Sequence, residues 1–273
     1  MPDKNTLVTF KVQKFDPDKY THPHMQEYSV PTKRGTTILD GLLYIKEHLD
    51  STLAFRTSCR MGICGSCGML INNYPRLACH TQIAECSSLL ITVKPLPNSP
   101  IIKDLAVDLM PFFEKHKSIR PYIIQENKNG QIDLTREYVQ IPEQVDEYEQ
   151  FSYCIKCGIC ISACPTSASD VNFLGPQALA QTYRYCADNR DSGSAIRFKI
   201  TETDHGVWRC HLAGACSEAC PKGVDPGLAI QLLKNKMAQQ TLSAGRKENT
   251  VALYPQPQEI KPRIQVPPFT AKK

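Results

Sequence analysis

The sequence predicts an α+β chain in two parts, mixed strands around one helix and then a mainly helical region. Three observations carry this. Short β-branched and aromatic runs fill the first hundred residues, helical apolar stripes dominate beyond them, and thirteen cysteines cluster in the loops between.

The first part begins with "LVTFKV" (7–12) and "MQEYSV" (25–30), two strand-like runs that can pair across a loop. "TTILDGLLYIKEHLD" (36–50) sets Ile38, Leu42, Leu43, Ile45 and Leu49 on one helical stripe. "GMLINN" and "SLLITVKPLP" read as further short strands. The unit is expected over 1–97, with "PLPNSP" (95–100) as a proline-stiffened linker. The second unit, 98–241, is expected to be helical through "KDLAVDLMPFFEKHK", "GPQALAQTYRYCADNR" and "DPGLAIQLLKNKMAQQ". In the last of these, Asp225 suits an N-cap and Pro226 the first helical position. Residues 242–273 hold five prolines and little periodicity, and are expected to be an extended tail, disordered or lying on a partner.

Composition narrows the function. No apolar run reaches the roughly 20 residues of a membrane span. "MPDKNTLVTF" has neither the apolar stretch of a signal peptide nor the Arg-rich look of a transit peptide, which predicts a chain that stays where it is made. Most of the formal charge of +5 lies in the tail, where six Lys and Arg face two Asp and Glu, so no nucleic-acid partner is expected. An odd, clustered cysteine set without a secretion signal points to metal ligation rather than disulfides.

Cys59, Cys64, Cys67 and Cys79 follow the C-x4-C-x2-C plus distant-cysteine spacing of plant-type 2Fe–2S ferredoxins rather than paired zinc knuckles. Gly62, Gly65 and Gly68 suit a loop that must turn its N–H groups toward sulfur. The run "CIKCGICISACP" has the C-x2-C-x2-C-x3-C-P spacing of two-cluster bacterial ferredoxins, in which the fourth cysteine serves the other cluster. "CHLAGACSEACP" repeats it with Ala213 at the second cysteine position. The crossing rule then assigns Cys154, Cys157, Cys160 and Cys220 to a 4Fe–4S cluster. Cys164, Cys210 and Cys216 remain, and three thiolates suit a 3Fe–4S cluster. Two alternatives stay open for this last site, a 4Fe–4S cluster with its free corner on water or another non-cysteine ligand, or the same with His211 as the ligand. Cys86 and Cys186 are left over and read as small buried apolar residues. Dinucleotide fingerprint, P-loop and nucleophile pattern are all missing, so the chain reads as a conductor of single electrons that needs a donor and an acceptor.

With "SYCIKCGICISACP" and "GVWRCHLAGACSEACPKGVDP" behind a ferredoxin-like unit, the chain resembles the iron–sulfur subunits of succinate dehydrogenase and fumarate reductase over about 5–240. "FLGPQALAQTYRYCADNRD" is similar to the family's helix between the two motifs. The resemblance implies a plant-type ferredoxin (β-grasp) domain followed by a bacterial-type helical ferredoxin domain. It implies an FAD-bearing flavoprotein partner, membrane anchor subunits, which in some members hold haem b, and electron flow through 2Fe–2S, 4Fe–4S and 3Fe–4S to a quinone. Pro165, His211 and Lys234 match the family's quinone-pocket positions. Where many ubiquinone enzymes carry tryptophans after the cysteine-proline, this chain has "TSASD", with Ala168 and Ser169. That departure bears on the geometry of the quinone site, while "CSEACPKGVDP" is at least as similar to fumarate reductases and so leans toward menaquinone. A peripheral position on the cytoplasmic face of a bacterial membrane follows from the same resemblance. The lack of any cysteine after Cys220 separates the chain from related flavoenzyme arms that use thiol acceptors.

Overall fold

Alternating burial organises the first unit. Along β1 (Thr6–Lys14) the residues Val8, Phe10, Val12 and Lys14 face inward while their neighbours face out, the period-two signature of a half-buried strand. The computed structural model describes residues 6–86, 88–125 and 137–243. β1 pairs antiparallel with β2 (His24–Thr32), and the helix α1 (Ile38–Tyr44) follows, prolonged by a wider π-type turn over Ile45–Leu49. Thr37 and Asp40 close a reciprocal capping box that starts α1. β3 (Gly68–Ile71), β4 (Tyr74–Leu77) and β5 (Leu90–Lys94) complete one five-stranded sheet in the order β2-β1-β5-β3-β4, with β5 parallel to β1 and antiparallel to β3.

This first core extends past Pro97. β6 (Ile101–Lys103) and β7 (Ala106–Val107) form a hairpin whose Leu105 and Val107 join the core of the sheet. "KDLAV" (103–107), expected as helix, is therefore strand and turn. The cause is electrostatic as well as apolar. Lys14 points inward and needs partners, which Asp50 (2.9 Å) and the almost fully buried Asp104 (3.2 Å) supply. Asp104 also accepts from the backbone N–H groups of Phe15 (2.9 Å) and Ala54 (2.8 Å).

The linker is likewise a packed junction and not a free spacer. Leu96 is buried, and Asn98 presents its amide to the carbonyls of Ile161 (2.9 Å), Ser162 and Cys164. These carbonyls lie at the end of a short helix in the second unit, so the linker is pinned onto that helix end.

The second unit is helical, as expected. It runs α2 (Met110–Ser118), α3 (Pro142–Asp146), α4 (Glu149–Ser152), α5 (Ile159–Ala163), α6 (Pro165–Ser169), α7 (Gly175–Ala187), α8 (Ser194–Thr201), α9 (Ala215–Glu218) and α10 (Pro226–Ser243). α7 and α10 pack together around Leu179, Tyr183, Ala229, Ile230 and Leu233. Asp225 accepts from the N–H of Leu228 (3.0 Å), which starts α10 at Pro226. Arg197, fully buried, bonds Asp191 and the carbonyls of Arg120 and Tyr122, tying the segment after α2 to α8. Cys186 lies buried in this core, as expected, whereas Cys86, also expected buried, is only half-buried against the first one. The tail expected over 242–273 lies outside the described residues beyond Ser243.

Candidate functional site

All thirteen cysteines are free thiols. The loop between α1 and β3 wraps its backbone around sulfur. Met61, Ile63 and Cys64 aim their N–H groups at Cys59 Sγ (3.4, 3.3 and 3.3 Å), and Gly62 aims at Cys79 Sγ (3.3 Å). Ser66 donates to Cys64 Sγ and Cys79 to Cys67 Sγ, each at 3.5 Å. A loop that spends so many N–H groups on thiols is arranged for negative sulfur. Their surroundings differ. The Ser66 hydroxyl and nearby N–H groups pull the exposed Cys64 thiol down to about 6, while burial pushes Cys67 up to about 12.

In the second unit the two motifs converge. Cys154, Cys157, Cys160 and Cys220 line a common cavity, partly open to solvent, with Gln177, Pro221 and Val224 in its wall. Burial raises the Cys154 thiol, lifts Cys157 to about 11 and holds Cys160 well above the usual range. Free thiols, inward-turned N–H groups and a cysteine-ringed cavity together fit iron–sulfur clusters.

Cys164, Cys210 and Cys216 form the third group. The other two lie close enough to help raise the Cys216 thiol, which burial first lifts to about 11. Ser167 donates its N–H to Cys164 Sγ (3.4 Å), and the Ser167 hydroxyl is buried without a partner. The two motif loops share one backbone course. Lys156 and Leu212 both sit at positive φ (54° and 59°), as do Gly158 and Gly214 (78° and 75°), and a short helix follows each glycine. Ala213 therefore occupies the place that Cys157 occupies upstream, and it is exposed.

The three groups are contiguous. A Cβ on Gly65 would stand 2.6 Å from Cys157 Cβ, so the first loop lies directly on a cysteine of the second group. Cys160 and Cys216 share a small apolar cluster with Phe112 and Ile161, which joins the second group to the third.

Pro165 is exposed beside Cys164, His211 is exposed beside Cys210, and Lys234 donates to the Cys210 carbonyl at 3.0 Å. Each stands beside a member of the third group. Two further residues were not singled out from sequence. Trp208, half exposed, lies under the Lys234 ammonium at 5.8 Å from its ring centre. Gln177 was hidden inside a helical stripe. Its only sequence signal is an amide at a position that helical periodicity turns toward the core.

Residues 9–114 match the family described as "2Fe-2S iron-sulfur cluster binding domain", and 150–224 match "4Fe-4S dicluster domain". Two such modules in tandem make this an iron–sulfur electron-transfer protein. The fumarate reductase iron-sulfur subunit of Mycobacterium tuberculosis is 46% identical over 235 residues, 86% of this chain and 94% of that one. The Escherichia coli subunit of the same name is 42% identical over 240 residues, 88% and 97% of the two chains. The mitochondrial succinate dehydrogenase [ubiquinone] iron-sulfur subunit of Candida glabrata is 37% identical over 238 residues, 85% and 92%. The fold agrees with a chain of the Mycobacterium smegmatis Sdh1 complex in the apo form, at TM-score 0.77 and 24% identity, covering 87% of this chain and 98% of that one. The chain belongs to the family of iron–sulfur subunits of succinate dehydrogenases and fumarate reductases. Its function is electron transfer within a complex of that class. No helix among the described residues is long and apolar enough to cross a membrane.

Proposed function

We propose that this chain carries single electrons between an FAD-bearing subunit that interconverts succinate and fumarate and a membrane quinone. In this reading Cys59, Cys64, Cys67 and Cys79 hold a 2Fe–2S cluster, Cys154, Cys157, Cys160 and Cys220 a 4Fe–4S cluster, and Cys164, Cys210 and Cys216 a 3Fe–4S cluster. When bound, such clusters supply one-electron carriers whose potentials follow burial and hydrogen bonding to sulfur. The chain's own residues supply the order. Gly65 lets the first loop rest on Cys157, and Cys160 packs near Cys216, so the three groups form a continuous line. Leu96, Leu109 and Ile155 pack around the first junction and make it largely apolar.

The observation that carries the reading is the cavity shared by Cys154, Cys157, Cys160 and the remote Cys220. Cys220→Ser in the assembled complex tests it. The 4Fe–4S signal and its iron should be lost or altered while the oxidised 3Fe–4S signal persists. Loss of the 3Fe–4S signal alone would reverse the ligand assignment.

At the far end, Pro165, His211 and Lys234 are assigned to the quinone site, and Lys234 is held there by the Cys210 carbonyl and Trp208. Identity is higher to chains named fumarate reductase (46% and 42%) than to one named for ubiquinone (37%), which supports menaquinone as the partner. Lys234→Leu should raise the KM for a menaquinol analogue with the 3Fe–4S signal intact. An unchanged KM would remove Lys234 from the site. FAD and any haem b belong to partner subunits. Membrane anchors hold the chain peripherally, on the cytoplasmic face in this reading. The first structural unit is proposed to run to about Leu109, since its core includes Leu105 and Val107.

A further inference from the structure

Gln177 is the one side-chain amide in the wall of the four-cysteine cavity, and it is only 2% exposed. It stands in the first turn of α7, between the two cysteine motifs in sequence. Its Nε2 lies 3.9 Å from Cys154 Sγ, at the long end for a hydrogen bond to sulfur, and 3.1 Å from His116 Nδ1 on α2. Both amide hydrogens are thereby directed, one to sulfur and one to the imidazole. The Oε1 is buried and has no partner.

That arrangement has a cost. A buried carbonyl without a donor loses about 1–3 kcal/mol of solvation. An amide turned the other way would place that oxygen against sulfur, which is unfavourable once the sulfur is a thiolate. His116 holds the donor orientation. Burial, assisted by the nearby Lys156 charge, lowers it to about 4, so the ring is neutral, and Nδ1 accepts in the tautomer that carries the proton on Nε2. Packing alone would be better served at this position by an apolar side chain.

We propose that Gln177 is a positioning residue for electron transfer, whose amide, oriented by His116, donates to Cys154 Sγ and raises the reduction potential of the 4Fe–4S site. A donor to sulfur stabilises the more negative, reduced form of a cluster more than the oxidised form. The effect is confined to one site, because the cysteine that Gln177 bonds, Cys154, and the cavity it lines belong to the 4Fe–4S group. The inference rests on Cys154 being a 4Fe–4S ligand.

The test is an EPR-monitored redox titration of the assembled complex, with iron and sulfide counted. Gln177→Met keeps length and volume and removes both donors. It should retain full iron, shift the 4Fe–4S midpoint to a more negative value, and leave the 2Fe–2S and 3Fe–4S midpoints unmoved. His116→Leu, which frees the amide to rotate, should shift the same midpoint in the same direction by less. An unchanged 4Fe–4S midpoint in Gln177→Met with full iron overturns the proposal. If that variant loses the cluster, an unchanged midpoint in His116→Leu overturns it instead. A Cys154→Ser complex with an unaltered 4Fe–4S signal and full iron would sink the ligand assignment itself, a failure distinct from an unmoved potential.

Discussion

The loops at 154–164 and 210–220 trace nearly the same path and do different things. Both place a non-glycine residue at positive φ two positions before the fifth-residue glycine, both turn through that glycine, and both then enter a short helix. They differ in what meets the residue between. Cys157 lies under Gly65 at the junction of the two cores, whereas Ala213 is exposed. The backbone thus presents a ligand position twice, and side chain and neighbours decide whether it is used.

The sharpest way to break the comparison is to restore the missing thiol. If the backbone at 213 is ligand-ready, Ala213→Cys should convert the 3Fe–4S centre toward 4Fe–4S, adding iron and removing the oxidised EPR signal. A variant with unchanged signal and unchanged iron would mean that the two loops are alike in outline only. Next in size is Gly65→Ala. A Cβ there meets Cys157 and must also adopt φ of +74°, so the change should destabilise by about 1–3 kcal/mol. Calorimetry of the complex should show a lower melting temperature, and EPR a weaker magnetic interaction between the first two reduced centres. If both stay as in the parent, the contact is not tight.

A third prediction treats the loops as equals. Burial sets the Cys157 and Cys216 thiols each at about 11, so both are protonated in the neutral range before loading. Ligation requires thiolate, so loading must release protons, and it should tighten as pH rises from about 6 to about 9. Cluster reconstitution followed in a pH-stat reads this directly, and pH-independent loading would contradict it. The smallest effect concerns the strained positions. Leu212→Gly and Lys156→Gly relieve positive φ at residues that disfavour it, and each should stabilise by about 0.5–1 kcal/mol. Thermal melts in which only one of the two gains stability would show that the loops carry different strain.

Much of this was legible in the chain. Cysteine spacing, the Asp225–Pro226 start of α10 and the strand runs are local patterns, and the structure repeats them; the stripe of α1 holds from Ile38 to Ile45, but Leu49 is exposed and Leu39 is buried in its place. The helix expected over 103–107 failed because Asp104 is drawn to Lys14, a partner ninety residues away that no local pattern reveals. "PLPNSP" looked like a spacer for the same reason, since the carbonyls that Asn98 caps lie more than sixty residues downstream. Gln177 and Trp208 escaped notice because an amide or indole within a helical or loop stretch has no meaning until its neighbours are known.

The sequence by itself determined the chemistry. Thiol number and spacing mark the loops as iron–sulfur modules, and the alanine at 213 leaves one repeat a thiol short, because spacing along a short loop is a local property. Only the tertiary structure decided the wiring. It set Gly65 against Cys157, packed Cys160 near Cys216 and aimed Gln177 at Cys154. Those contacts join residues far apart in the chain, and only the packing of the two cores makes them neighbours.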